Sequence, residues 1–152
     1  MTVLERKEIE SLLPHREPFL FIDRVLEIGD KTGIAVKKVL PTEYYFRGHF
    51  PGEPVMPAVL LVEALAQLGG LLELRRRGLA GRICYLAGID SARFRSPVFP
   101  GDMLTLEVKL LKARKRFAVS EGRARVGDRV VCEATLMFAY KGEVTRDNAE
   151  AL

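Results

Sequence analysis

The 152-residue chain contains no tryptophan, two cysteines and two histidines, and these shortages exclude several kinds of protein. Cys84 and Cys132 each lie in an apolar, strand-like run with no second cysteine or histidine close in sequence, so a disulfide framework is not expected. We interpret both as reduced packing residues. For the same reason we expect no metal site and no other cofactor.

The sequence also lacks a long uninterrupted apolar run. Its longest apolar stretch, 55–74, is broken by Pro57, Glu63, Gln67 and Glu73, so it predicts a buried helix and not a membrane span. The first ten residues mix charges into every short apolar stretch, unlike a signal peptide. We therefore expect a cytoplasmic protein that does not bind membranes.

The composition that remains is that of a globular protein. Apolar residues make up 48% and charged residues 29% of the chain, which predicts one domain over 1–152. The net charge of +4 favours an acidic partner. Nucleic acid is not expected, because zinc spacing, helix-turn-helix punctuation and stacking aromatics are missing. Of the two basic clusters, 75–77 and 112–116, the first falls at a predicted helix end, where cations complement the helix dipole without any ligand.

The order of the predicted elements favours an α+β fold, in which an antiparallel sheet of about six strands wraps one long helix. Two strand-like runs, 18–28 and 34–40, flank the turn signal Gly29-Asp30 and predict a hairpin. Prolines and aromatics predict a loop over 41–56. Four later strands are predicted at 82–94, 103–111, 117–126 and 130–140. A longer turn is predicted at 97–102 and a tight turn at Gly127-Asp128. The end, 147–152, is predicted to fray.

The predicted helix spans 57–77. Pro57 suits its first position and Gly78 its end. Apolar residues occupy every face, which is typical of a helix surrounded by other structure. Gly69 and Gly70 each cost about 1 kcal/mol relative to alanine inside a helix, so we expect something to pack very close to them.

Glu63 is the first candidate for chemistry. It lies on this helix among apolar neighbours, and burying a carboxylate costs several kcal/mol unless the group is paired or protonated. Either Glu63 is an acid–base residue, or it forms a polar pair with Gln67, four residues on and therefore on the same face.

His49 is the second candidate. It lies in a loop, Gly48-His49-Phe50-Pro51-Gly52, that leads into the helix, and Glu63 is about 9 Å along the helix axis from Pro57. The loop could therefore bring the imidazole opposite the carboxyl, within one chain or across a dimer. We interpret His15, in Leu13-Pro14-His15-Arg16, as structural.

The start of the helix adds a donor. Because prolines lack an N–H, the amides of Ala58 and Val59 are the first helical donors available to an oxyanion. A histidine base, a carboxyl and such a donor suit removal of a proton α to a carbonyl together with loss of a β-hydroxyl.

Three blocks of sequence resemble the FabZ-type β-hydroxyacyl-acyl carrier protein dehydratases. They are FRGHFPGEPVMPAVLLVEALAQ (46–67), LLPHREPFLFIDRV (12–25) and LAGIDSARFRSPVFPGDML (86–104), and together they span most of the chain. The resemblance implies a hot-dog fold, dimers assembled into hexamers, and dehydration of (3R)-3-hydroxyacyl chains on acyl carrier protein in type II fatty acid biosynthesis.

The resemblance also implies active sites at a dimer interface, where His49 of one subunit faces Glu63 of the other. In such enzymes the histidine takes the α-proton and the carboxyl serves the departing hydroxyl; the reverse assignment stays open here. Glutamate at 63 resembles the branch that only dehydrates, whereas the relative that also isomerises the double bond has aspartate.

Ala58 departs from the family pattern, which usually reads Pro-Gly-Val. Its methyl group either adds helix stability without consequence or narrows the site. Tyr85 matches an aromatic gate over the acyl tunnel in some relatives, but it is equally consistent with a core aromatic of a strand.

The remaining expectations concern substrate and carrier. We expect substrate contacts from Phe50, Val59 and Gln67. We expect an acidic carrier to dock near the tunnel mouth through Arg93 and Arg95, with the cluster 112–116.

Two other functions fit the same fold: a thioesterase acting on acyl thioesters, and a non-catalytic regulator that binds acyl thioesters. The block GHFPGEPVMP favours dehydration over hydrolysis. Regulators of this kind carry a DNA-binding module ahead of the domain, whereas about a dozen residues precede Leu12 here, and a binder has no need of both His49 and Glu63.

Overall fold

A computed structural model of the chain describes residues 2–140. One antiparallel sheet has the strand order β1-β2-β3-β5-β6-β7-β4 and curves around the longer helix. The strands are β1 (Thr2–Leu4), β2 (Arg24–Ile28), β3 (Thr32–Lys38), β4 (Cys84–Phe94), β5 (Met103–Ala113), β6 (Phe117–Val126) and β7 (Arg129–Tyr140). The helices are α1 (Arg6–Leu12), α2 (Ala58–Arg77) and a short 3-10 helix (Tyr44–Arg47). The predicted α+β arrangement of a sheet around one long helix is confirmed.

Helix α2 lies at the centre because its apolar faces meet the sheet on most sides. The helix ends just before Gly78, as predicted. Gly78 adopts φ 68°, and the amide of Leu79 donates to the carbonyl of Leu74 at 2.8 Å. A Cβ on Gly69 would lie 2.6 Å from Cζ of Phe138, which confirms the close contact predicted there. At Gly70 the nearest atom would be 3.9 Å away, an ordinary separation, so the prediction holds for Gly69 alone.

The sheet presents alternate residues to this helix, as the period of a strand requires. On β5 and β6 the buried positions are Leu104, Leu106, Val108, Ala118, Ser120, Gly122 and Ala124. An added Cβ at Gly122 would lie 3.2 Å from Leu65, so this glycine lets β6 approach α2 closely.

The predicted strand 18–28 is wrong in its first half, because β2 begins at Arg24. Residues 19–21 instead bond to a side chain of α2: the amide of Phe21 donates to Oε1 of Gln67 at 2.8 Å, and Nε2 of Gln67 donates to the carbonyl of Phe19 at 2.9 Å. The first hairpin therefore joins β2 to β3 over shorter strands than predicted.

Two further elements, β1 and α1, raise the strand count from about six to seven and add a second helix. No periodic pattern predicts these two elements, since charges interrupt the apolar residues of this segment. The loop predicted over 41–56 contains the short 3-10 helix. The end predicted to fray, 147–152, lies outside the described residues.

The two cysteines are placed as packing residues. Cys132 is fully buried and Cys84 is half-buried, and burial raises the pKa of their thiols to about 11 and about 12 respectively. Such thiols stay protonated and unreactive at neutral pH.

Within residues 2–140, every helix is too short or not apolar enough to span a membrane.

Candidate active site

Glu63 lines a groove of about 360 Å³ between α2 and β4. One end of this groove, called the Glu63 groove below, is polar and is formed by His15, Glu63 and Gln67. Its walls are mainly apolar and include Leu13, Ala66, Gly70, Leu74, Ile83, Leu86 and Phe138. The groove thus combines a carboxyl with a long apolar surface.

The Glu63 carboxyl is held by its neighbour one turn along α2. Nε2 of Gln67 donates to Oε1 of Glu63 at 3.0 Å, so the pair expected from their spacing is present. The side chain of Glu63 remains 24% exposed, whereas the sequence predicted a buried carboxyl. The reason is its direction, because Glu63 faces the groove and not the sheet.

The fully buried carboxyl of α2 is instead Glu73, which no pattern in the sequence singles out. It forms ion pairs with Arg76 and Arg77 and accepts a hydrogen bond from the Tyr140 hydroxyl at 2.6 Å. Burial acts to raise the pKa of Glu73, but the hydrogen bonds from Arg76 and Tyr140 and the two cationic charges outweigh it, and the pKa is lowered. Glu73 is therefore a structural anion at the C-terminal end of the helix, ten residues and about 15 Å along the helix axis from Glu63.

His49 lies in a second cavity, formed where its loop meets the start of α2. The ring Nδ1 is 2.8 Å from the carbonyl oxygen of Val55, and the amide of Val55 donates back to the carbonyl of His49 at 3.0 Å. A carbonyl only accepts, so Nδ1 carries the proton and Nε2 of the neutral ring keeps its lone pair. The ring also stacks on Phe50 with centroids 4.0 Å apart, across a cis peptide bond. His49 is thereby oriented as a proton acceptor at Nε2.

The first turn of α2 borders the same cavity. Pro57 supplies no side-chain cap to the first helical amides, those of Ala58 and Val59, and their role as donors to an oxyanion stays a prediction. Ala58 lines the His49 cavity, and Val59 is 69% exposed. The exposure of Val59 and of Phe50 shows that this end of the helix is open on its outer side.

Within one chain, His49 and Glu63 are not brought together. The two cavities share no lining residue: Phe94, Arg95 and Val98 close the His49 cavity, whereas β4 residues nearer its start close the Glu63 groove. Between the two arrangements left open by the sequence, pairing across a dimer therefore stays a prediction, since the structure shows no contact of His49 with Glu63 within residues 2–140.

The histidine that approaches Glu63 is His15, for which the sequence predicts only a structural role. Its Nε2 lies 3.6 Å from Oε1 of Glu63. Burial lowers the pKa of His15 and the negative charge of Glu63 acts in the opposite direction. A signal was present in the sequence, because His15 is one of only two histidines and falls in a block that resembles the dehydratases.

Tyr85 lies on β4, half-buried, and lines the Glu63 groove together with Cys84. This position fits both readings of Tyr85, since a residue that borders the groove can pack as a strand aromatic and also meet a bound chain.

The basic residues proposed for docking separate into two places. Arg93 is exposed on β4, and Arg95 lines the His49 cavity while pairing with Glu133 at 2.8 Å. The cluster 112–116 lies at the other end of α2, where Arg77 donates to the carbonyls of Arg114 and Lys115. Glu63 and Arg77 are about 21 Å apart along the helix axis, so this cluster does not border the site.

Comparisons with known proteins identify the family to which the chain is related. Residues 13–135 match the FabA-like domain family. The chain is 46% identical over 140 residues to the 3-hydroxyacyl-acyl-carrier-protein dehydratase FabZ of Pelotomaculum thermopropionicum, covering 91% of this chain and 100% of that one. It is 50% identical over 138 residues to the FabZ of Herpetosiphon aurantiacus, covering 90% and 98%.

Similarity to solved structures, at low sequence identity, is evidence for the fold alone. The dehydratase heterocomplex ApeI:P from Xenorhabdus doucetiae superimposes with a TM-score of 0.74 at 18% identity, covering 94% of this chain and 95% of that one. A hypothetical thioesterase with coenzyme A from Streptococcus pneumoniae gives a TM-score of 0.59 at 17% identity, covering 76% and 83%. The hot-dog fold is thus shared by a dehydratase and a hypothetical thioesterase, so the fold alone does not indicate a reaction. Both sequence relatives above are named as dehydratases.

Proposed function

The chain belongs to the FabZ-type dehydratases within the FabA-like family, and from this we propose that it removes water from (3R)-3-hydroxyacyl chains carried on acyl carrier protein. A Cα–H bond and the Cβ–OH bond break, a trans-2 double bond forms, and one water leaves. The observation that carries the proposal is the Glu63 groove, which has a carboxyl at one end of apolar walls. Such a groove suits a reacting carbon at its polar end and an alkyl chain along its length.

We propose that each active site combines His49 of one subunit with Glu63 of a second. The separation of the two residues within one chain supports this, and so does β4, which lies at the edge of the sheet with its second side unpaired in the described residues. Ile89 and Phe94 on this strand are each 49% exposed. An exposed apolar edge strand is a template for pairing with another chain, and pairing there would cover both cavities.

In the proposed mechanism, Nε2 of His49 takes the proton from Cα, because Nδ1 is already committed to Val55. The charge that develops on the thioester oxygen is stabilised by the amides of Ala58 and Val59. Glu63 gives its proton to the departing hydroxyl, which leaves as water. His49 ends protonated and Glu63 ionised, and both return to their starting states by exchange with solvent.

The partner in this proposal is an acidic carrier protein that meets Arg93 and Arg95 beside the His49 cavity. Oligomerisation follows from the shared site. We propose a dimer as the smallest active unit and a trimer of dimers as the full assembly, as the family resemblance implies. We also propose a cytoplasmic location.

The test is incubation with 3-hydroxybutyryl-acyl carrier protein. We expect the absorbance of a conjugated enoyl thioester to appear without release of free thiol. Thiol release would instead support the thioesterase reading, and binding without turnover would support the regulator.

A further inference from the structure

We propose that His15 is a positioning residue for Glu63, holding Oε1 of the carboxyl together with Gln67 so that Oε2 faces the reacting chain. The inference rests on the proposed function, because it assigns a role to Glu63 in that reaction. It begins from one juxtaposition: His15 and Glu63 are 48 residues apart in sequence, yet Nε2 and Oε1 lie 3.6 Å apart at the polar end of the Glu63 groove.

The two nitrogens of His15 have different surroundings. Nδ1 is buried and has no hydrogen-bond partner among residues 2–140, whereas Nε2 faces the carboxyl. A proton on Nδ1 would be a buried donor without an acceptor, which is unfavourable. The neutral ring with its proton on Nε2 avoids this and directs an N–H towards Oε1. His15 thus presents a neutral donor to Glu63.

Gln67 fixes the same carboxyl oxygen from the other side. Its amide is locked by two backbone groups, the N–H of Phe21 at 2.8 Å and the carbonyl of Phe19 at 2.9 Å. Its remaining N–H is therefore aimed at Oε1 of Glu63, at 3.0 Å. Within the described residues, the polar contacts of the Glu63 carboxyl fall on Oε1, which leaves Oε2 for substrate.

The backbone that carries His15 is also held in place. The guanidinium of Arg16 donates to the carbonyls of Leu13, His15 and Glu10 at 2.7 to 3.0 Å. Leu13 is buried against the core. The imidazole therefore approaches Glu63 from a fixed support, as a group that orients another side chain must.

The contact is weaker than that of Gln67, since 3.6 Å exceeds a hydrogen-bond length. We therefore expect a moderate effect. His15→Leu should lower kcat on the order of tenfold, with KM changed by less than about threefold, because substrate binding along the groove is kept. His15→Gln places an amide N–H near the position of Nε2 and should recover most of kcat.

Combining His15→Leu with Glu63→Gln distinguishes a positioning role of His15 from a general loss of structure. If His15 acts through Glu63, His15→Leu should lower the residual activity of Glu63→Gln by no more than about twofold. A tenfold loss in both backgrounds, or full activity of a folded His15→Leu protein, would overturn the inference. Thermal unfolding of each variant shows whether it is folded.

Nuclear magnetic resonance of the ring nitrogens tests the contact without any activity. The titratable or charged groups around His15 are Glu63 on α2, Cys84 and Tyr85 on β4, and Arg16 beside it. Because the Glu63 charge raises the pKa of His15, Glu63→Gln should lower that pKa further, and the neutral ring should carry its proton on Nε2. The matched control is Glu17→Gln, which removes an exposed carboxyl two residues away and should leave His15 unchanged.

The outcomes separate the two proposals. No pKa change in Glu63→Gln, or a proton on Nδ1, overturns the role of His15 even when the wild type dehydrates its substrate. A wild type that forms no enoyl product overturns the proposed function even when the His15 resonances report the contact. Spectra of His49→Ala assign the two histidines.

Discussion

At its C-terminal end α2 finds partners within the chain, whereas its N-terminal end is left open. Gly78 and Leu79 close the last turn by backbone hydrogen bonds, and Glu73 is fully buried between two arginines and a tyrosine. At the start, Pro57 gives no side-chain cap and Val59 is 69% exposed. One helix is therefore held by side chains of the same chain at one end and has no side-chain cap at the other, so mutations at the two ends should have separable effects.

The largest effect is expected at the N-terminal end. His49→Ala and Glu63→Gln should each lower turnover by about two or more decades with an unchanged unfolding temperature, because each removes one proton-transfer group. The double variant should be little worse than either single one. The measurement is steady-state kinetics on 3-hydroxybutyryl-acyl carrier protein. Near-full activity of either single variant would remove that residue from the mechanism.

Mixing the two inactive variants tests whether the site is shared. In a randomly reassorted population half of the dimers are mixed, and each mixed dimer has one intact site out of two, so activity should return to about a quarter of wild type. Each variant alone, treated in the same way, is the control. No recovery after proven subunit exchange would place His49 and Glu63 in the same chain.

At the C-terminal end the expected effect is on stability. Glu73→Gln should lower the free energy of unfolding by about 2–4 kcal/mol, because it removes the anion between Arg76 and Arg77 and weakens the contact with Tyr140. The kcat of the folded protein should stay close to wild type. Denaturant unfolding followed by circular dichroism measures the difference, and a large loss of kcat without loss of stability would contradict the comparison of the two ends.

The same variant predicts a pH dependence. The pKa of Glu73 is lowered in the folded protein, so its stabilising contribution is complete above the ordinary value of 4.5 and disappears as the pH falls through the folded value. The stability difference between wild type and Glu73→Gln should therefore shrink in acid. A constant difference down to the acid transition would show that the charge of Glu73 does not stabilise the fold.

A smaller effect is expected from the basic residues at the two ends. Arg93→Ala should raise KM for a carrier-bound substrate a few-fold and less so at high salt, since exposed charges are screened over about 8 Å at physiological ionic strength. Arg114→Ala, which removes a cation at the far end of α2, is the matched control and should leave KM unchanged. A small thioester should respond to neither variant nor salt, and an equal response would rule out carrier electrostatics.

The smallest effect is expected at Ala58. Ala58→Gly keeps the backbone N–H, so the reaction should persist while the fit of short and long acyl chains changes. The unfolding free energy should fall by up to about 1 kcal/mol, and by less near a helix end. Kinetics with acyl chains of several lengths provide the test. Complete loss of activity in a folded variant would give residue 58 another role.

Local signals in the sequence were sufficient for most of the fold. Pro57 and Gly78 mark α2 to within one residue, and Gly127-Asp128 marks the last hairpin, with φ 59° at Gly127. The first half of the strand predicted over 18–28 failed because its backbone bonds to the side chain of Gln67, a partner that no local pattern reveals.

The sequence predicts which residues form the candidate site but not which of them lie close together in the folded chain. His49 and Glu63 stand out by residue type and motif, which a sequence shows directly. The approach of His15 to Glu63 depends on folding across 48 residues. A helix that is apolar on all faces likewise gives no periodic signal to show that Glu73 is buried and Glu63 borders a cavity.

The order of strands in the sheet bears on how the protein is made. β4, one wall of the Glu63 groove, pairs within the described residues with β7 alone, and Cys84 and Tyr85 lie opposite Tyr140 and Ala139. A nascent chain thus holds Glu63 on its helix long before the wall of the groove can form. Long-range pairing of this kind is slow and leaves apolar surface uncovered in the meantime. The Glu63 groove is therefore among the last features to form during synthesis, and truncation before β7 should leave an aggregation-prone chain that has both ionisable groups but no groove between α2 and β4.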